Sequence, residues 1–142
     1  MDKEKELMEK HHAFIKPEKG IQNTLMGFGF ECGKGWHPII ERLFDEISKL
    51  NPPEQFEITQ VKEKYGVLTV YADCSSDEVE ALIDKAEAES AKTCEDCGQP
   101  GTLTKRHGWY RTLCPSCACV AGYELNKIGE RENETDGKEE KQ

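Results

Sequence analysis

Four cysteines arranged as two C-x-x-C pairs are the residues best placed to do chemistry. They are Cys94-Glu95-Asp96-Cys97 and Cys114-Pro115-Ser116-Cys117, with sixteen residues between the pairs. Zinc takes four soft ligands at tetrahedral corners. A C-x-x-C turn sets two thiolates on one side of such an ion, and a second turn brought back by a hairpin closes the shell. The spacing lies in the range of zinc sites, and Gly98 permits the tight turn behind the first pair. Between the pairs, Thr102-Leu103-Thr104 suits an outgoing strand, His107-Gly108 a turn, and Trp109-Tyr110-Arg111-Thr112-Leu113 the return. The expected cofactor is one structural Zn2+ held by Cys94, Cys97, Cys114 and Cys117, because four cysteine ligands leave no corner for water. So short a module has little core, so the metal should supply its folding energy. A redox or disulfide role is the competing use of these thiols. Cys119 could exchange into the shell or be a bystander thiol.

Two further stretches could bind something. In Glu31-Cys32-Gly33-Lys34-Gly35-Trp36-His37-Pro38, a glycine-rich turn opens onto a helix N-terminus, where free amides and the dipole favour anions. Lys34, Trp36 and His37 are its candidate ligand-binding residues: a charge, a stacking ring and an imidazole. The alternative is a plain turn in which Trp36 plugs the core. On the ribbon, Lys105, Arg106, Trp109, Tyr110 and Arg111 interleave cations and rings around His107, a mixture suited to a partner protein or a single nucleic-acid strand. The alternative is that these side chains pack on the rest of the protein, Trp109 being the one expected to be buried. Cys32 and Cys74 read as small buried hydrophobes, His11-His12 as solvated or on a weak helix face, and Lys62-Glu63-Lys64 as a solvated strand edge. No nucleophile–base pattern is recognisable around Cys32, His37 or Glu31, so an enzyme is not expected.

These residues need elements to hold them. Ile39, Ile40, Leu43, Phe44, Ile47 and Leu50 recur at helical spacing, with Pro38 in the first turn and Pro52-Pro53 as the stop, so a helix is expected over 37–50. Residues 55–74 read as a β-hairpin turning at Tyr65-Gly66. Ser75-Ser76-Asp77-Glu78 carries a capping box, with Ser75 reaching forward and Glu78 back, ahead of a helix over 76–92. A weak helix fits 2–16, with Leu7, His11, Phe14 and Ile15 near one face, and a short one fits 118–128. The expected fold is α+β: residues 1–20 a weak helix or flexible arm, 21–93 an α-β-β-α body with both helices on one face of a small sheet, 94–128 a zinc ribbon and short helix, and 129–142 a disordered acidic tail.

The chain has 142 residues, seven cysteines and a formal net charge of −9. Its acidity is concentrated in residues 35–93, where thirteen acids face six bases. Nucleic-acid affinity depends largely on phosphate neutralisation, so the overall charge disfavours that partner. No apolar run approaches the length of a membrane-spanning helix, and the charged N-terminus does not read as a signal peptide. A soluble, cytoplasmic protein is expected. The composition sets no oligomeric state.

Four motifs recur in order: Glu31-Cys32-Gly33-x-Gly35-Trp36; Gln60-Val61-Lys62-Glu63-Lys64-Tyr65-Gly66-Val67-Leu68; Glu87-x-x-Ser90-x-x-Thr93-Cys94-x-x-Cys97-Gly98-x-Pro100-Gly101; and Gly108-Trp109-x-x-Thr112-Leu113-Cys114. Over residues 31–118 the chain resembles a family of small, mostly uncharacterised proteins encoded by phages, prophages and bacteria. Members often end the last pair in His at the position of Cys117, and often carry an acid at that of Lys34, which counts against an anion pocket. The resemblance implies a small accessory protein of viral context. The expected function is that of a non-enzymatic zinc-binding interaction protein, a phage-encoded modulator or inhibitor of a host or defence macromolecule in the host cytoplasm. A nucleic-acid-binding ribbon and a nucleotide-binding module built on the Gly33–His37 turn are the alternatives.

Overall fold

Ile39, Ile40, Leu43, Phe44 and Ile47 line one stripe of a helix and cannot stay in water. What covers them defines the fold. The computed structural model describes residues 3–125. The elements are α1 (Lys3–Lys10), β1 (Phe30–Glu31), α2 (His37–Lys49), β2 (Glu57–Lys64), β3 (Val67–Asp73), α3 (Asp77–Ser90), β4 (Thr102–Arg106), β5 (Trp109–Leu113), α4 (Pro115–Ala121) and β6 (Glu124–Leu125). The fold is α+β, as expected. The tail over 129–142, and the end of the helix expected to reach 128, lie outside the described residues.

The first sheet has the order β1-β2-β3. β2 and β3 form the expected antiparallel hairpin, and β1 adds a short parallel pairing, Phe30 with Val61 and Glu31 with Lys62. Helices α2 and α3 pack on each other, and α3 lies on β3. Their shared core holds Phe44, Ile40, Ile47, Ile58, Val61, Leu68, Val79 and Ile83. Burying each of the larger side chains is worth about 1.5–3 kcal/mol. The cap of α3 is Ser76, whose hydroxyl accepts from the Val79 amide. It is not Ser75, which bonds Glu80 instead. The helix starts at Asp77, one residue later than the S-x-x-E pattern of Ser75 and Glu78 implies, so Ser76 is the residue whose hydroxyl reaches the third amide of the first turn.

The N-terminal segment enters the same core. Leu7, Phe14 and Ile15 are buried there. The Glu4 carboxylate accepts from the Phe30 amide (3.0 Å), and the Ile58 amide donates to the Phe14 carbonyl (2.8 Å). His11 is buried, not solvated. Its ring stacks on Phe14, with Phe44 edge-on, and Nε2 lies 3.2 Å from Asp45.

The second sheet has the order β5-β4-β6. Its hairpin turns at His107-Gly108, as expected. The last helix departs from expectation: α4 begins inside the second cysteine pair, with Cys114 as N-cap and Pro115 in its first turn, and it ends at Gly122 in the left-handed region (φ 78°). The chain then runs as β6, antiparallel to β4, where a helix was expected. Glycine is the usual left-handed stop, so residues 118–128 cannot form one continuous helix.

Candidate metal centre

Two local structures bring the four thiols together. In the first, the Gly98 amide donates to the Cys94 carbonyl (3.0 Å), with Gly98 at φ 84°. In the second, the amide of Cys117 points at the Cys114 sulfur (3.4 Å). The β4–β5 hairpin folds one turn over the other. The Sγ atoms of Cys94, Cys97, Cys114 and Cys117 all lie within 4.8 Å of one another, with Cys97 and Cys114 3.6 Å apart. A disulfide needs sulfurs at about 2.05 Å, and none of the cysteines is bridged. The cluster could hold one metal ion. The Cys117 amide draws the Cys114 thiol down to about 7, while hydrogen bonding to the neighbouring thiols holds Cys117 up.

The remaining cysteines stay apart. Cys119 and Cys74 are exposed, Cys74 against expectation. It sits at φ 58° on the corner after β3. Cys32 is half-buried against the core. Burial, and then the charge of Glu95, push its thiol up to about 12, the reverse of an activated nucleophile.

The cysteine turn is locked to the body by Glu95, which sits between the first two ligands and is almost fully buried. Its carboxylate accepts from the Gly33 amide (2.9 Å) and from Arg111 Nε (3.3 Å). Its backbone carbonyl accepts from the Gly35 amide (2.6 Å), and its own amide donates to the Thr112 carbonyl (2.9 Å). Burial raises the carboxyl above its ordinary value against the pull of the Gly33 amide and Arg111. Trp36 Nε1 donates to the Thr93 carbonyl (2.9 Å). A Cβ on Gly35 would stand 2.2 Å from the Cys94 carbonyl oxygen and 2.6 Å from the Gly98 nitrogen, and one on Gly33 2.5 Å from the Glu95 carbonyl oxygen. A second contact lies nearby, where the buried Thr112 hydroxyl donates to the Gly66 carbonyl (2.7 Å).

This geometry corrects the ligand pocket expected at Lys34, Trp36 and His37. The anion on the Gly33 and Gly35 turn is the chain's own Glu95. Trp36 is fully buried and offers no stacking face. Lys34 is exposed, while His37 is half-buried, edge-on to Phe30. The three do not converge. The glycines are required because the cysteine turn passes too close for a side chain.

The ribbon residues divide. Arg111 is drawn inward, to Glu95 and Asp96 and over the Tyr123 ring, so it belongs to the lock and not to an open contact face. Lys105, Arg106, Trp109 and Tyr110 are exposed. Trp109, expected to be the buried one, is 74% exposed. Tyr65, 76% exposed, joins them with Lys62 and Lys64 from the other hairpin. Together the two hairpin tips border a groove of about 580 Å³. Sequence reasoning missed Tyr65. The available signal was a bulky ring in the first position of a Tyr-Gly turn, where asparagine is usual.

No protein-family model, curated protein or solved structure matches the chain. Among the described residues, no helix is long and apolar enough to cross a membrane.

Proposed function

We propose that this chain is a non-enzymatic, zinc-stapled interaction protein that binds a macromolecule through the face shared by its two hairpin tips. Zinc suits the donor set: a Zn–S bond of about 2.3 Å puts tetrahedral sulfurs about 3.8 Å apart, against the 3.6 Å between Cys97 and Cys114. Four thiolates fill the shell, so the ion's work is to fold and stiffen the ribbon. The observation that carries the reading is the cluster of exposed rings Tyr65, Trp109 and Tyr110 among lysines on an otherwise acidic chain. Large aromatics left in water on rigid turns are the usual anchors of an interface. The likeness of the four ordered motifs to small phage and prophage proteins supports a partner in the host cytoplasm, with the chain acting as its modulator or inhibitor.

The test is native mass spectrometry of the protein purified gently from its host, alongside Trp109→Ala/Tyr110→Ala. One zinc per chain and a stoichiometric macromolecule, with the variant keeping zinc but losing the macromolecule, is the expected result. A wild-type chain that carries no macromolecule, or a variant that retains it, overturns the reading.

A further inference from the structure

The β2–β3 and β4–β5 hairpins close with the same device. Each has a two-residue turn, Tyr65-Gly66 or His107-Gly108, with both residues at positive φ: 53° and 87°, then 50° and 86°. Such turns match the twist of the strands and favour Asn-Gly. A bulky residue at positive φ is a true outlier. Here both first positions carry rings. Tyr65 is 76% exposed, so no core packing offsets its strained backbone. The Lys64 ammonium lies 6.0 Å from its ring centroid. Strain kept without a packing return points to use.

The two tips face one groove, with Lys62, Lys64 and Tyr65 on one wall and His107, Trp109 and Tyr110 on the other. Glu63 also lines it, but its carboxylate accepts from the Gly66 amide (2.7 Å). Lys105 and Arg106 stand outside it: Lys105 is beside Glu124 of β6 in the register, and Arg106 Nε lies 3.9 Å from where a Cβ on Gly122 would stand. The overall −9 does not forbid an anion here, because charges beyond about 8 Å are screened at physiological salt.

Resting on the reading of this face as the contact surface, we infer that its occupant is a short unpaired stretch of nucleic acid, its bases stacked on Tyr65, Trp109 and Tyr110 and its phosphates met by Lys62 and Lys64. Flat rings on stiff turns and a line of cations are the two parts of a single-strand platform. An acidic peptide would meet the same lysines, but only a nucleic acid also offers flat bases to three exposed rings. With Glu63 between its two lysines the groove offers no continuous basic track for a duplex.

The experiment is fluorescence anisotropy of labelled oligouridylate and oligothymidylate on the zinc-loaded full chain. Two phosphate contacts predict a log–log salt slope near −1.4, about 7-fold weaker binding from 50 to 200 mM salt. Lys62→Gln/Lys64→Gln should abolish most of that slope. Trp109→Ala should weaken binding roughly 5- to 150-fold with zinc content unchanged. Tyr65→Asn should raise the melting temperature and weaken binding together, a pairing that a merely structural tyrosine would not give. No binding at 50 mM salt, or binding indifferent to both ring variants, overturns the inference. If the oligonucleotides fail while Trp109→Ala still strips a nuclease-resistant partner from the purified chain, the groove remains the contact surface. The occupant is then a protein.

Discussion

Replacing Gly35 with alanine should unlock the cysteine turn from the body. The added Cβ would meet three backbone atoms of the turn, the Cys94 and Glu95 carbonyl oxygens and the Gly98 nitrogen, all at 2.6 Å or less. None can swing aside as a side chain would, so the turn must move as a unit. That movement breaks the bond from the Gly35 amide to the Glu95 carbonyl, the one from the Gly33 amide to the Glu95 carboxylate, and the one from Trp36 to the Thr93 carbonyl. At about 1 kcal/mol for each neutral bond and 1.5–3 for the charged one, the loss is about 3–5 kcal/mol, a large share of an ordinary domain's stability. Gly108→Ala is the control. A Cβ there meets nothing within 4 Å, but its φ is 86°, so it costs only about 1–2 kcal/mol of backbone strain. Urea unfolding of the zinc-loaded proteins measures both, and a chromophoric chelator follows metal release. Gly35→Ala should lose about 3–5 kcal/mol and release metal faster. Gly108→Ala should release it at the wild-type rate. A Gly35→Ala protein no less stable than Gly108→Ala, with wild-type release, would refute the lock.

Arg111→Ala should cost about 3 kcal/mol, because it leaves the buried Glu95 carboxylate without its cation; a cycle with Glu95→Gln should recover part of the loss. Thr112→Val should cost about 1–3 kcal/mol by orphaning the Gly66 carbonyl in the seam, seen as a lower urea midpoint. Burial holds His11 below its ordinary pKa of 6.5 despite the pull of Asp45. The unfolded chain therefore takes up that proton first, and this contribution is present above pH 6.5 and lost as pH falls toward the folded value. His11→Phe should abolish that part of the slope between pH 7 and 5; an unchanged pH profile would sink the assignment.

The cysteine centre was legible because ligand spacing is a local property, and the hairpin between the pairs followed from His107-Gly108. Helices α2 and α3 were legible because their apolar residues repeat at a fixed period. The parallel pairing of Phe30 with Val61 was not, since a two-residue strand has no period and its partner lies far along the chain. Trp36 and Trp109 show the limit most plainly. Both sit next to glycines and cations, yet one is fully buried and the other 74% exposed. What separates them is the approach of the Cys94–Gly98 turn to Gly33 and Gly35, a tertiary fact. The role of Glu95 was not legible for the same reason: its partners, Gly33 and Arg111, are distant in sequence. The four ordered motifs meet along this seam. Gly33, Gly35 and Trp36 touch the Thr93–Gly98 segment, and Gly66 touches Thr112.

The most direct test of a zinc-stapled ribbon locked to an α+β body is metal content read with fold. The protein is purified without chelator, weighed by native mass spectrometry, stripped of metal, and followed by amide hydrogen exchange. One zinc per chain, absent from Cys94→Ser and Cys114→Ser, is the predicted result. Stripping should abolish protection across β4 and β5 while that of α2 and β2 largely persists. A chain that carries no metal, or one whose ribbon stays protected after stripping, would contradict the account.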